Sequence, residues 1–151
     1  MRNKKGFTLI ELLVVIAIIG LLATIAVVAL NSARTSSRDA KRIADVRQVQ
    51  TGLEMYFNQF ASYPTCTSIQ EVSAMTGAAC TSNGLTTYIS GITNINDPTS
   101  STGGCTPAQA TRCDYSYLNS GATDYSIYFS LEQASGSLPL GAHTASSSGL
   151  L

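Results

Sequence analysis

Glu11 is the residue of this chain whose setting most demands a chemical explanation. It is the lone charged side chain in the run Phe7–Leu30, which polar Thr8 and Thr24 and the small Gly20 otherwise interrupt only lightly. A carboxylate among apolar side chains is unfavourable unless it gains a cation, because desolvation penalises the ion and nothing offsets it. No other residue of the run supplies that cation. Cutting the chain after Gly6 would give Phe7 a free α-amino group, and the amine of one copy would neutralise Glu11 of a neighbour. Such a pair sets register between packed helices, much as one buried polar residue does in a coiled coil.

The other chemistry-bearing residues are few. Cys66, Cys80, Cys105 and Cys113 all lie beyond the apolar run. An even count confined to that part fits disulfides made in an oxidising compartment. Four cysteines allow three pairings; Cys66–Cys80 with Cys105–Cys113 is favoured because both loops are short and local. No Cys-x-x-Cys occurs and the one histidine, His143, stands far from the cysteines in sequence, so a structural zinc site is not expected. Asp97, Asp114 and Asp124 lack the dense acidic spacing of a calcium loop and read as turn-forming aspartates. No cofactor is expected. Scattered Ser and Asp with a lone histidine do not make a catalytic set, so the chain does not read as an enzyme.

The elements that must position these residues follow from composition. Phe7–Leu30 as a helix spans roughly 36 Å at about 1.5 Å per residue, enough to cross a hydrocarbon core of about 30 Å. It is too long for an ordinary secretory signal. Arg2, Lys4 and Lys5 precede it and Arg34, Arg38, Lys41, Arg42 and Arg47 follow it, so loop charge does not settle its orientation. The formal net charge of zero hides an acidic remainder: from Leu53 onward Arg112 is the one base, against six carboxylates. Such a head is a poor partner for a phosphate backbone, and direct nucleic-acid binding is not expected.

Beyond the span, Ile43, Val46, Leu53, Phe57 and Phe60, widened by Val49 and Tyr56, form one apolar stripe that continues the helix to about Ala61. Arg38, Lys41, Arg42, Asp45 and Arg47 read as its solvated faces. Gly52 is a mild blemish, costing about 1 kcal/mol relative to alanine. Pro64 disfavours helix at Tyr63. Ser68-Ile-Gln-Glu71 has the form of a capping box and predicts a short helix over 69–76. Tyr125, Ile127, Phe129 and Leu131 alternate with polar or smaller residues, predicting a strand paired as a hairpin with Tyr115–Leu118. Leu85–Ile92 is a weaker third strand. The fold expected is α+β: a long N-terminal helix, its outer half packed on a small antiparallel sheet of about three strands. The divisions are a leader at 1–6, a span at 7–30, a stem at 31–61, a head at 62–134 and an irregular tail at 135–151.

Lys5-Gly6 followed by Phe7-Thr8-Leu9-Ile10-Glu11 and the apolar run resembles the processing motif of type IV pilins and of the pseudopilins of type II secretion. The resemblance implies that a prepilin peptidase cuts after Gly6 and methylates the amine of Phe7, and that Glu11 is the assembly glutamate. It implies a single-pass protein of the cytoplasmic membrane, in contact with lipid, whose head lies outside the cytoplasm. Its further partners would be copies of itself, in a filament, and the inner-membrane assembly platform with its ATPase. Many family members carry proline at the twenty-second position of the mature chain, where Val28 stands here, so a proline kink is not expected. Asn96-Asp97-Pro98 is similar to the segment before the final strands of major pseudopilins, a region where some relatives bind calcium, and that resemblance makes Asp97, Asp114 and Asp124 the candidates for such an ion here. A many-copy filament subunit is one function this implies; the other is a low-copy subunit whose head binds a surface, a secreted substrate or DNA.

Overall fold

The computed structural model describes residues 6–81, 84–99, 103–106 and 113–150; the basic leader residues before Gly6, and Arg112, lie outside them. The chain divides into two units, Met1–Thr35 and Ser36–Leu151.

One helix, α1, covers Leu9–Phe60. In the first unit every described residue from Gly6 to Arg34 is exposed, including all the large apolar side chains. The segment is long and apolar enough to cross a membrane. Gly20 has open space around it, so no close backbone approach within this chain requires a glycine there.

In the second unit α1 buries Val46, Val49, Leu53 and Tyr56, with Ile43 and Phe57 packed at the margin. This is the predicted stripe, with Phe60 at its rim. The helix ends near the predicted place. Ala61 adopts a φ of 53°, its N–H donates to Phe57 O at 2.8 Å, and Pro64 follows.

The head carries more strands than the sequence predicts. Strands β1 (Thr65–Cys66) and β3 (Cys80–Thr81) form a two-stranded ribbon. A five-stranded antiparallel sheet runs in the order β2-β4-β5-β6-β7: Gln70–Glu71, Ser116–Gly121, Asp124–Leu131, Gly141–Ser146 and Gly149–Leu150. The predicted hairpin is its centre, with Tyr117 opposite Ile127. Tyr125, Ile127, Phe129 and Leu131 all face the core, joined by Tyr115 and Tyr117. Burying Ile127, Phe129 and Leu131 contributes about 1.5–3 kcal/mol of transfer free energy each. Tyr117 Oη donates to Pro64 O at 2.8 Å, so at least this phenol keeps a polar partner in the core.

Three expectations are corrected. Residues 69–76 do not form a helix: Gln70 and Glu71 pair with Tyr117 and Ser116 as β2, and only Val72–Ala74 makes a 3₁₀ turn. Pairing with the sheet outweighs the local cap, and Ser68 Oγ accepts from Gln70 Nε2 instead. Leu85–Ile92 is not a strand; Leu85–Tyr88 is a short helix, α2, preceded by Gly84 at a φ of 68°, and Gly91 at 69° then turns the chain into the 3₁₀ turn Ile92–Asn94. The supposed irregular tail contributes β6 and β7. Strand β6 pairs along its whole length with β5, from Ser126 opposite Ser146 to Leu131 opposite Gly141.

Gly52 has a packing reason. A Cβ there would overlap Ile89 Cγ1 and stand 3.0 Å from Tyr88 O. The glycine lets α1 approach the segment after α2 closely, and its lower helix propensity is the accompanying penalty.

Candidate assembly site

Gly6, Phe7 and Thr8 precede the first helical residue, Leu9, in backbone of no regular structure. Thr8 is therefore the N-cap and Glu11 the third helical residue. The Thr8 N–H donates to Glu11 Oε2 at 2.8 Å, the Thr8 hydroxyl donates to the same oxygen at 2.7 Å, and the Glu11 N–H donates to Thr8 Oγ1 at 3.3 Å. This is a complete capping box. A carboxylate in the first turn also meets the positive end of the helix dipole. The signal was in the sequence: Thr8-x-x-Glu11 has the same form as Ser68-x-x-Glu71, and it is the former that caps a helix.

Phe7 is exposed, and a Cβ added at Gly6 would meet nothing within 4 Å. The fold of this chain places no steric demand for glycine at position 6.

The structure joins Cys66 to Cys80 and Cys105 to Cys113. The first bridge ties the facing residues of β1 and β3. The second lies fully buried in the head, with both cysteines 1% exposed.

Each of the three aspartate carboxylates accepts from its own set of protein donors. Asp97 Oδ2 accepts from Arg42 Nε at 2.5 Å, and Oδ1 accepts from Arg42 Nη2 and from the N–H and hydroxyl of Thr99. Asp114 Oδ1 accepts from the N–H groups of Asp97 and Tyr115. Asp124 Oδ1 accepts from the Tyr125 N–H and the Ser147 hydroxyl. Among the described residues no group of three or more His, Cys, Asp or Glu is placed to hold a metal ion. His143 is a buried residue of β6, its Nε2 2.7 Å from Pro139 O and its ring against Phe129.

Arg42 corrects a further expectation. It is not on a solvated face but 1% exposed, the hub of the head's ionic network. Its Nη1 donates to Asp39 Oδ1 and to Glu132 Oε1, each at 2.7 Å, in addition to the contacts with Asp97 and Thr99. Asp39 in turn accepts the N–H groups of Glu132 and Gln133, and Arg38 binds Glu132 at its edge. Burial works against the charged guanidinium, but the hydrogen bonds to Asp97, Glu132 and Asp39 outweigh it and hold Arg42 more firmly protonated than a free arginine. Burial likewise pushes the Asp97 carboxyl up, and the bonds from Arg42 and Thr99 more than reverse it. Glu132 falls to about 2, chiefly through the hydrogen bond from Arg38, with Arg42 adding to it against the opposing effect of burial. One clue in the sequence was Asp39 three residues before Arg42, a spacing that places the pair on one helix face.

A family model described as the prokaryotic N-terminal methylation motif matches residues 1–27. The chain is similar to type II secretion system core protein G of Dickeya chrysanthemi, 36% identical over 64 residues, which are 42% of each chain. It is similar to the Vibrio cholerae protein of the same name, 35% identical over 65 residues, 43% of this chain and 44% of that one. It is also similar to the type IV wide pilus major component PilA4 of Thermus thermophilus, 48% identical over 56 residues, 37% of this chain and 43% of that one. The chain thus spans less than half the length of the curated relatives it matches. No solved structure matches it at a comparable level.

Proposed function

We propose that this chain is a structural subunit of a type IV pilus-like or type II secretion pseudopilus filament, a reading supported by its N-terminal motif and by its partial likeness to pilin and pseudopilin relatives. The observation that carries this reading is the exposed apolar segment behind Gly6, interrupted by one carboxylate one turn from its start. Exposed apolar surface of that extent requires lipid before assembly and neighbouring helices after it. In this reading a prepilin peptidase cuts after Gly6 and methylates Phe7. Lateral helix packing then builds the filament core, with the assembly platform and its ATPase supplying the work. Glu11 neutralises the Phe7 amine of an adjacent subunit. A mispaired step would leave both ions unneutralised in the apolar core, so the pair selects one axial register. Chemistry is not part of the role; the relatives' names describe a pilus component and a secretion-system core protein.

Since alanine fits at position 6 in this fold, a requirement for Gly6 would arise in the peptidase's substrate cleft rather than in the subunit. Mass spectrometry of native filaments should find a chain beginning at methylated Phe7, with Arg2, Lys4 and Lys5 lost and the formal side-chain charge moved from zero to −3. Gly6→Ala should accumulate as precursor in the membrane. Glu11→Ala should enter the membrane yet give few or no filaments. Filaments that retain Met1–Gly6, or normal filament numbers and subunit step from Glu11→Ala, would sink the respective parts.

A further inference from the structure

We propose that Thr8 is a positioning residue for assembly: it folds the Glu11 carboxylate back on the first turn through Oε2 and so presents Oε1 to the amine of the neighbouring subunit. The inference rests on the filament reading above and concerns a residue that this reading does not use.

Among the described residues, the hydrogen bonds to the Glu11 carboxylate fall on Oε2, from the N–H and the hydroxyl of Thr8. A carboxylate has about four acceptor sites, so engaging one oxygen leaves the other competent for an ammonium. The Thr8 N–H belongs to the Phe7–Thr8 peptide, and its hydroxyl to the side chain. Cutting between Gly6 and Phe7 touches neither, so the box survives processing. A free glutamate side chain loses rotamer freedom when an ion pair fixes it. Here the cap has already fixed it, in a position set by the backbone of the helix start. The two Thr8 donors and the N-terminal end of the helix dipole hold the carboxylate in this position. The cap also ends the helix at Leu9, which keeps Phe7 out of the helix and its amine free to reach a second chain.

The experiment uses the full-length chain in cells that contain its peptidase and assembly machinery. Wild type, Thr8→Val, Thr8→Ser and Glu11→Ala are compared at matched membrane levels for N-terminal mass and filament yield. Thr8→Val should be cut as wild type is, yet yield about five-fold fewer filaments, the size expected for loss of an N-cap. Thr8→Ser, which keeps the hydroxyl, should restore the yield. A second measurement is amide hydrogen exchange at Thr8 in the precursor held in detergent micelles, which should be slow in wild type and fast in Glu11→Ala. Wild-type yield from Thr8→Val, failure of Thr8→Ser to restore it, loss of cleavage in Thr8→Val, or equally fast exchange in wild type and Glu11→Ala would each overturn the positioning role. A wild-type chain that is not cut at Gly6 and forms no filaments would instead overturn the filament reading on which it rests, and normal assembly by Glu11→Ala would overturn the pairing of Glu11 with the amine.

Discussion

In residues 6–34 every apolar side chain is exposed, and the lone carboxylate receives its hydrogen bonds from within its own turn. In residues 36–150 the opposite holds: a guanidinium sits buried among Asp39, Asp97 and Glu132, and the apolar stripe of the same helix is covered by a sheet. One helix thus carries two kinds of surface. The head pairs its buried ions and covers its apolar stripe from within the chain, so its stability is a property of the single chain. The N-terminal segment satisfies only its helix start and leaves its apolar area for another environment to cover. Assembly and head stability should therefore be separable by mutation.

The comparison can be broken most severely at Arg42. Arg42→Met leaves three carboxylates without their buried cation and should cost about 3–5 kcal/mol, read as a large fall in the melting transition of the head in full-length protein held in detergent. Helicity of the N-terminal segment should persist. If the transition is unmoved, the network does not brace the head and the contrast with Glu11 is lost.

Replacing Cys66 and Cys80 by serine opens a loop of sequence separation 14 and should cost about 3 kcal/mol, again visible only in the head. Peptide mapping without reduction should recover Cys66–Cys80 and Cys105–Cys113. A Cys66–Cys113 peptide would show a different connectivity.

Gly52→Ala sharpens the comparison within α1 itself. At an exposed position this change gains up to about 1 kcal/mol of helix propensity, but here the added methyl collides with Ile89, and overpacking costs about 1–3 kcal/mol. A net loss of about 1 kcal/mol is expected, whereas Gly20→Ala, with open space around it, should leave the head transition unchanged. Equal effects at the two glycines would erase the difference between the regions.

The smallest effect is acid sensitivity. Glu132 and Asp97 both have carboxyl groups held below their ordinary range, Glu132 at about 2. The stability they contribute is complete above about pH 5 and is lost as the pH falls from there toward 2, because protonation then costs the folded state its ion pairs. Glu132 is partly exposed, so screening leaves its share small. Melting temperature measured from pH 6 to pH 3 should fall, and Glu132→Gln should flatten the slope by a few degrees.

What the sequence revealed was what side-chain size can encode. The alternation Tyr125, Ile127, Phe129, Leu131 announces a strand because large residues mark its buried face. Strand β6 gave no such mark: its inward residues are Gly141, His143 and Ala145, too small or too polar for a period of two to stand out. Residues 69–76 misled for a different reason, since the local cap was genuine in form but β4 offered Glu71 a ladder partner from across the chain. At the N-terminus, Gly6, Phe7 and Glu11 were legible from order and composition. The cap partner Thr8 was legible too, but passed as a mere polar interruption of the span. Arg42 was hidden because three of its partners, Asp97, Thr99 and Glu132, lie 55, 57 and 90 residues away.

The pairing of β5 with β6 has a consequence in time. The long helix can form as soon as its own residues are made, but β5 gains its second neighbour only when residues 141–146 have left the ribosome. The same late arrival brings Ser146 O to the side chain of Gln50, a contact spanning 96 residues. Closure over such sequence distances is slow compared with helix formation. During that interval β5 presents an unpaired edge flanked by Ile127 and Phe129, the kind of edge to which another chain can add. The helix is therefore complete before the head is folded, and the sheet stays open at β5 until residues 141–146 close it.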